Sequence, residues 1–245
     1  ITGKIVESIG SEQKIEIAVK NISVIGISDP EKYPIQPKKH SFEFLRENAH
    51  LRIRTNTFSA VMRMRSALSF AVHKYFTDNG FYNFHAPIIT GSDAEGAGEM
   101  FNVSTLDPLN PPKKEDGTID YSKNFFGKET NLTVSGQLEA ETYAMALGQV
   151  YTFGPTFRAE NSNTSRHLAE FWMIEPELVF VELKDVMDCA EDYVTYCLRY
   201  VLENNADDIE FFNSTVDTTL KARLHNIVET PFTRLSYTDA IEIID

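Results

Sequence analysis

This 245-residue sequence contains two cysteines, one tryptophan and no long apolar run. No segment approaches the roughly 20 apolar residues that a helix needs to cross a bilayer, which argues against a membrane protein. The first residues, 1 to 5, lack an initiating Met and the apolar stretch of a signal peptide. We therefore expect that the natural N-terminus is missing.

The cysteine spacing argues against a disulfide between the two cysteines, and the shortage of basic residues argues against a general nucleic-acid-binding protein. Cys189 and Cys197 are predicted to lie on one helix, about 12 Å apart along its axis and beyond disulfide reach, as expected for free thiols in a reducing cytoplasm. Lys and Arg total 23 against 36 Asp and Glu, a net charge of −13. Because non-specific nucleic-acid affinity comes from basic side chains on phosphates, any RNA binding must rely on local patches.

The N-terminal residues predict a small strand cluster followed by a hinge. Segments 14–19 and 22–24 alternate apolar and polar residues, which is typical of half-buried antiparallel strands. The pattern breaks around Pro30, Pro34 and Pro37, so residues 28–55 are interpreted as a hinge with a short helical piece.

The remaining chain predicts alternating helices and strands. Apolar residues recur at helical spacing from about 57 to 79, with Asn56 as the cap and Gly80 as the end. A strand over 81–89 contains Pro87, which favours a sheet edge meeting a partner subunit. Further predictions are a long exposed loop over 104–130, helices over 137–147 and 183–201, and strands over 150–160 and 166–177. Residues 205–245 give no prediction.

The strand pair over 150–177 mixes charged and aromatic residues. Alternation along a strand predicts that Arg158 and Glu160 share one face, and that His167, Phe171 and Glu175 share one face of the return strand. Spacing alone favours an exposed sheet face with cross-strand ion pairs. The alternative is a nucleotide site, with guanidinium groups on phosphate and an aromatic ring under a base.

Two motifs indicate a family. The run 157–160 (Phe-Arg-Ala-Glu), a polar loop and the run 166–171 (Arg-His-Leu-Ala-Glu-Phe) resemble motif 2 of class II aminoacyl-tRNA synthetases, and 80–89 resembles motif 1. The resemblance is to the aspartyl and asparaginyl branch. It implies an α+β fold: residues 1–28 as the end of an OB-fold β-barrel that binds the anticodon, 29–55 as a hinge, and 56–245 as an antiparallel-sheet catalytic domain truncated before motif 3.

The resemblance also implies roles for particular residues. The implied ATP site consists of Arg158, Glu160, Arg166, His167, Leu168 and Phe171. The implied amino-acid site consists of Glu95, Ser135, Gln137, Arg158 and Glu175, and Pro87 would lie at the interface of a homodimer. Without the motifs, Glu95 is better interpreted as a loop acid in water and Gln137 as an exposed residue at a helix start.

The implied reaction is ATP-dependent activation of asparagine followed by transfer to tRNA(Asn), with Mg²⁺ as cofactor. Aspartyl enzymes of this branch have Gln-x-x-Lys at a position where this chain has Gln137-Leu138-Glu139-Ala140, so the cation that meets aspartate is missing. The alternatives are an aspartyl or non-discriminating enzyme, or an inactive binding paralogue. No match to motif 3 follows Pro176, so we expect a fragment, inactive alone, whose metal ligands lie in the missing part; no metal ligand is assigned here.

Overall fold

The computed structural model describes residues 1–10, 13–94, 96, 99–162, 164 and 166–244. They form two compact units, Ile1–Ser59 and Ala60–Asp245. The strands are β1 (Thr2–Glu7), β2 (Ile15–Asn21), β3 (Tyr82–Asn83), β4 (Ile89–Thr90), β5 (Asn131–Leu132), β6 (Gln149–Phe157) and β7 (Glu170–Leu178). The helices are α1 (Phe42–Glu47), α2 (Asn56–Asp78), α3 (Gln137–Leu147), α4 (Leu183–Asn204), α5 (Ala206–Thr215), α6 (Leu220–Glu229) and α7 (Tyr237–Ile244).

The first unit contains an antiparallel strand pair and two short helical pieces. β1 pairs with β2 with Ile5 opposite Ile17. Residues 22–24, predicted to be a strand, lie outside both strands and are exposed, so that prediction was wrong. The helical piece predicted in the hinge is present as α1, which Ser41 caps by accepting a hydrogen bond from the Phe44 N–H. The domain limits at 28 and 55 remain a prediction.

Helix α2 provides one wall of the core of the second unit. Its cap is Thr55 rather than the predicted Asn56, since the Thr55 hydroxyl accepts from the Phe58 N–H at 3.3 Å. Its end at Gly80 is as predicted, with φ +82°, a conformation that favours glycine. The buried Phe76 ring stacks on Tyr151 of β6 at 4.6 Å between ring centroids, which attaches the helix to the sheet.

The central sheet has the strand order β3, β6, β7. The predicted strand over 81–89 was wrong, because only Tyr82 and Asn83 pair with β6, in parallel register. The chain then leaves the sheet, and Ile89 and Thr90 pair instead with β5. Pro87 therefore lies in the connection between two short strands, where a missing N–H disrupts no ladder.

The β6–β7 hairpin is antiparallel, with Thr152 opposite Glu175 and Phe157 opposite Glu170. Both strands are shorter at the loop end than predicted. Arg158, Glu160 and His167 lie beyond the strand ends, so the predicted sharing of strand faces by Arg158 with Glu160, and by His167 with Phe171, was wrong. Phe171 and Glu175 do share one face of β7, as the alternation predicts.

The helical C-terminal part begins with α4, whose predicted apolar stripe includes the buried Cys197. Helices α5 to α7 follow in the segment that gave no prediction. Helix α5 is held to α2 by the ion pair of Asp208 with Arg63, at 2.5 Å between oxygen and nitrogen. Among the described helices, none is long and apolar enough to cross a membrane.

Candidate active site

A cavity of about 350 Å³ opens at the loop end of the β6–β7 hairpin. The six residues of the implied ATP site all line it: Arg158, Glu160, Arg166, His167, Leu168 and Phe171. The hairpin continues past its last strand pair, because the Arg158 N–H donates to the Ala169 carbonyl at 3.0 Å. These six side chains, separated in sequence by the loop, are brought together by that pairing.

Arg158 and Phe171 contact each other in the wall of this cavity. The Arg158 guanidinium carbon lies 5.6 Å from the centroid of the Phe171 ring, within the range of a cation–π contact. The next residue is also anchored, since the Ala159 N–H donates to the Glu99 carbonyl at 2.8 Å. The cavity therefore presents a fixed planar cation beside an aromatic face, which suits a phosphate joined to a purine.

The loop side of the cavity is more open. The His167 N–H donates to the Thr164 carbonyl at 3.4 Å, and its ring Nδ1 contacts the Thr164 hydroxyl. Leu168 is 67% exposed although its position borders the cavity, as expected of a residue that contributes its backbone rather than its side chain. Arg166 completes this side with a second cation.

Glu175 is the hub of a hydrogen-bond network on the same face of β7. Its carboxylate accepts from the Ser135 hydroxyl, from the Gly136 N–H at 3.2 Å and from the Thr152 hydroxyl at 2.8 Å. The Ser135 hydroxyl in turn accepts from the Gln137 N–H at 3.0 Å. Three donors to one carboxylate fix its orientation. The structure thus brings together three of the implied amino-acid-binding residues.

Gly136 allows the close approach on which this network depends. A Cβ at this position would lie 3.0 Å from both the Ala86 Cβ and the Thr152 Cγ2. Such contacts are tighter than packed side chains normally tolerate. A side chain at this position would therefore require Ala86 and Thr152 to shift.

The surroundings of Glu175 are rich in negative charge. Burial raises the pKa of Glu177 to about 7, with further contributions from the nearby carboxylates of Glu141 and Glu175. The Gln137 amide donates to Glu141 at 3.0 Å. Ala140, at the position where aspartyl enzymes have their lysine, is fully buried. Among the described residues, no Lys or Arg lines the cavity that Glu175 borders.

Two of the predicted site residues, Glu95 and Pro87, stay predictions. Glu95 lies outside the described residues. Pro87 is described, but the single chain gives no partner surface against which to place it. Conversely, sequence reasoning missed Glu177. It lies two residues after Glu175 and so shares its face, but its raised pKa comes from burial first and from the carboxylates of Glu141 and Glu175 second, and the sequence alone does not show that burial.

Comparison with known proteins identifies the family. The family model described as tRNA synthetases class II (D, K and N) matches residues 41–245. The chain belongs to this family. It is 61% identical over 244 residues to the asparagine–tRNA ligase of Cytophaga hutchinsonii and 60% identical over 242 residues to that of Acetivibrio thermocellus. These alignments cover 100% and 99% of this chain but 53% and 52% of the relatives, so the chain spans about half their length.

Solved structures of class II synthetases share the fold. The asparaginyl-tRNA synthetase of Pyrococcus horikoshii, complexed with asparaginyl-adenylate, has a TM-score of 0.77 at 30% identity, covering 99% of this chain and 50% of that one. The Entamoeba histolytica enzyme in complex with asparaginyl-adenylate has a TM-score of 0.74 at 26% identity, covering 98% and 49%. The α+β class II fold expected from the motifs is confirmed, although the described strands close no barrel.

Proposed function

We propose that the protein is an asparagine–tRNA ligase. It activates asparagine with ATP to asparaginyl-adenylate and transfers the asparaginyl group to tRNA(Asn). The observation that carries the proposal is the convergence of six motif 2 residues on one cavity, with the Arg158 guanidinium over the Phe171 ring. Relatives 57–61% identical over essentially the whole chain, each an asparagine–tRNA ligase, support the same activity.

In the first step, the substrate carboxylate attacks the α-phosphorus of ATP, and the bond to the bridging oxygen breaks to release pyrophosphate. The substrate provides its own nucleophile, so the protein has to align the reactants and stabilise charge. Arg158 is the residue for this role, because its planar donors can bridge the carboxylate and the α-phosphate. Phe171 stacks on the adenine, Glu160 lies beside it, and Arg166 and His167 receive the remaining phosphates.

The amino acid lies on the β7 face next to the ATP cavity. Phe171 and Glu175 are four residues apart on one strand, which is about 13 Å. The acceptors Glu175, Ser135 and Gln137 suit the α-ammonium and the side-chain amide of asparagine. An aspartate side chain would instead meet Glu177 and its carboxylate neighbours without a compensating cation, which disfavours it.

In the second step, a hydroxyl of the terminal tRNA ribose attacks the carbonyl carbon of the adenylate, and AMP leaves. We expect the Mg²⁺ that such enzymes use to neutralise phosphate charge. Within the part of the chain that the structure describes, however, no group of three or more His, Cys, Asp or Glu side chains could hold a metal ion.

Two further features belong to the proposal. A homodimer contact through the segment around Pro87 is supported by the motif 1 resemblance and by its position beside the short strand β3. A cytoplasmic location is supported by the free thiols of Cys189 and Cys197. Tertiary burial, rather than a disulfide, stabilises the helix that holds them.

ATP–pyrophosphate exchange by the full-length protein tests the proposed function. Asparagine should support exchange, and aspartate should do so at least 100-fold less efficiently. Comparable values of kcat/KM for the two amino acids would indicate a non-discriminating enzyme. Exchange with neither, in a protein that still binds ATP, would indicate an inactive paralogue.

A further inference from the structure

The Glu175 carboxylate uses most of its capacity to accept hydrogen bonds on the protein itself. A carboxylate offers about four lone-pair sites, two on each oxygen. Its Oε2 accepts from the Gly136 N–H at 3.2 Å and from the Thr152 hydroxyl at 2.8 Å, whereas its Oε1 accepts from the Ser135 hydroxyl. Counting the donors among the described residues, both sites of Oε2 are filled and one site, on Oε1, is left.

Two of these donors belong to the turn that precedes α3, and their positions follow from the fold of that turn. The Gly136 N–H is a backbone group. Ser135 is held by the buried Thr133, whose hydroxyl donates to the Ser135 carbonyl at 2.6 Å and accepts from the Ser135 N–H at 3.3 Å. Within the described part of the chain, Thr152 is the donor to Glu175 that comes from the sheet.

The Thr152 side chain is held in one orientation. Thr152 lies on β6 directly opposite Glu175 and is 3% exposed. A Cβ on Gly136 would lie 3.0 Å from the Thr152 Cγ2 and 3.1 Å from its Oγ1, so both branches of the side chain pack against the glycine. A β-branched side chain already has restricted rotation about χ1, and this packing restricts it further. The hydroxyl therefore stays directed at Oε2.

This arrangement limits what Glu175 can offer to a ligand. Glu175, Gly136 and Thr152 line one cavity of about 330 Å³. Because a carboxylate oxygen accepts hydrogen bonds, the site left on Oε1 matches one N–H of the ligand. Without the Thr152 hydroxyl, a site on Oε2 would also be open, and either oxygen could turn to the ligand. A site with fixed hydrogen-bonding groups discriminates more strongly than one that can rearrange.

We propose that Thr152 is a positioning residue for recognition of the amino acid. Its hydroxyl fills one acceptor site of Oε2 and so leaves Glu175 with a single site, on Oε1, for one N–H of the substrate. That N–H belongs to the α-ammonium or to the side-chain amide of asparagine, and aspartate, which has only the first, separates the two. This inference rests on the proposed function, because it takes Glu175 as part of the amino-acid site.

ATP–pyrophosphate exchange by the full-length protein tests the role of Thr152. Thr152→Val removes the hydroxyl and keeps the branched shape. It should raise the KM for asparagine roughly 10-fold, the order expected for loss of a hydrogen bond to a charged group, and leave the KM for ATP within about twofold. Thr152→Ser, which keeps the hydroxyl, should restore the KM for asparagine to within about threefold of wild type. Thr152→Cys, with a weakly donating thiol, should give an intermediate value.

A double-mutant cycle shows whether Thr152 acts through Glu175. In Glu175→Ala, at asparagine concentrations extended to cover the raised KM, a further Thr152→Val change should alter that KM by less than about twofold, because the hydroxyl has already lost its acceptor. A direct contact of Thr152 with the substrate would instead persist in the Glu175→Ala background.

Aspartate, measured as an inhibitor of asparagine-dependent exchange, identifies the N–H. If Glu175 accepts from the α-ammonium, Thr152→Val should weaken inhibition by aspartate about as much as it raises the KM for asparagine. If Glu175 accepts from the side-chain amide, inhibition by aspartate should not change. Each result supports the single acceptor site and assigns it to one group of the substrate.

Thr130→Val is the matched control for the loss of a buried hydroxyl. Thr130 is likewise 3% exposed, and its hydroxyl donates to the Val103 carbonyl at 2.8 Å, outside the Glu175 network. Thr130→Val should lower the urea unfolding midpoint about as much as Thr152→Val does. Both KM values should stay within about twofold of wild type in this control.

Three outcomes would overturn the inference: an unchanged KM for asparagine in Thr152→Val, equal increases in the KM values for asparagine and ATP, or an undiminished effect of Thr152→Val in the Glu175→Ala background. Failure of the proposed function is distinguishable, since it would appear as absent asparagine-dependent exchange in the wild-type protein.

Discussion

The Arg158 guanidinium carbon lies 5.6 Å from the centroid of the Phe171 ring, although Arg158 directly follows β6 and Phe171 lies on the return strand β7. The contact orients the guanidinium before any substrate binds. The aromatic ring proposed to stack on the adenine and the cation proposed to bind the adjoining phosphate thus contact each other in the free protein.

Replacement of Arg158 tests the phosphate site. Arg158→Ala should reduce asparagine-dependent pyrophosphate exchange by about 100- to 1000-fold, because its charge-assisted bonds strengthen as negative charge develops on the phosphate. Arg223→Ala is the control, since Arg223 forms an exposed ion pair with Asp217 on the surface. A folded Arg158 variant with near-normal exchange would show that the assignment is wrong.

Replacement of Glu175 tests the amino-acid site. Glu175→Gln places an NH₂ group among three donors, so at least one of them loses its acceptor. The KM for asparagine should rise roughly 10-fold or more while the KM for ATP changes little, and stability should fall by about 1–3 kcal/mol. Glu170→Gln, on an exposed position of the same strand, should change neither constant. Equal increases in both KM values would argue against a specific role.

Glu177 should make stability depend on pH near neutrality. Its folded-state pKa of about 7 lies above the ordinary value of 4.5, so the folded protein binds this proton more tightly than the unfolded chain. The stabilisation is complete below about pH 4.5 and is lost as the pH rises through 7. Glu177→Gln should remove this dependence and raise stability at pH 8 on the order of 1 kcal/mol, allowing for solvent screening.

Urea unfolding midpoints between pH 5 and pH 8.5 provide the measurement for Glu177. The difference between the variant and the wild type should grow with pH. Glu203→Gln, on an exposed position of α4, should show a constant difference. A pH-independent difference for Glu177→Gln would contradict the raised pKa.

The ion pair of Arg63 with Asp208 should stabilise the packing of α5 on α2. Arg63→Ala leaves the buried Asp208 carboxylate without its guanidinium and should cost about 2–3 kcal/mol of unfolding free energy. Thermal or urea denaturation at pH 7 measures this. Arg63→Ala/Asp208→Ala should cost less than the sum of the single changes, while Lys221→Ala, in an exposed pair with Glu210, should cost under about 0.5 kcal/mol.

The stability contributed by the ion pair of Arg63 with Asp208 depends on pH with the opposite sign to the contribution of Glu177. The Arg63 hydrogen bond holds the pKa of Asp208 below its ordinary value. Its stabilisation is therefore present above the unfolded-state pKa near 4 and is lost as the pH falls through the folded-state value. An acid-unfolding midpoint that does not move in Arg63→Ala would contradict the role assigned to the pair.

The spacing of apolar residues was sufficient to predict the long helices, but it was insufficient to predict which residues pair at the edge of the sheet. Helices α2 and α4 each have a repeating apolar face, and the sequence predicts the existence and approximate ends of α2, α3 and α4. The segment after Gly80 is apolar and looks like one strand, but only Tyr82 and Asn83 find partners on β6. Which residues of such a segment pair is decided by the neighbouring strand, which the local sequence does not reveal.

The last third of the chain shows a second limit of prediction from local sequence pattern. Helix α5 carries Asp208 at a buried position, where a hydrophobic residue would be expected from pattern alone. Its partner Arg63 lies 145 residues earlier in the chain. Similarly, the motif resemblance was sufficient to name six residues that line one cavity, whereas the proximity of Glu177 to Glu141 depends on the packing of α3 beside β7.

Strand β7 is the last strand of its sheet within the described residues, and its face toward α2 and α4 opens into an apolar cavity of about 790 Å³. Trp172 and Ile174 border this cavity, and Trp172 is 48% exposed. An uncovered strand edge beside apolar surface is a template for intermolecular pairing. The 245-residue chain produced alone is therefore expected to aggregate above a low protein concentration. A chaperone that binds extended apolar segments would bind at this strand.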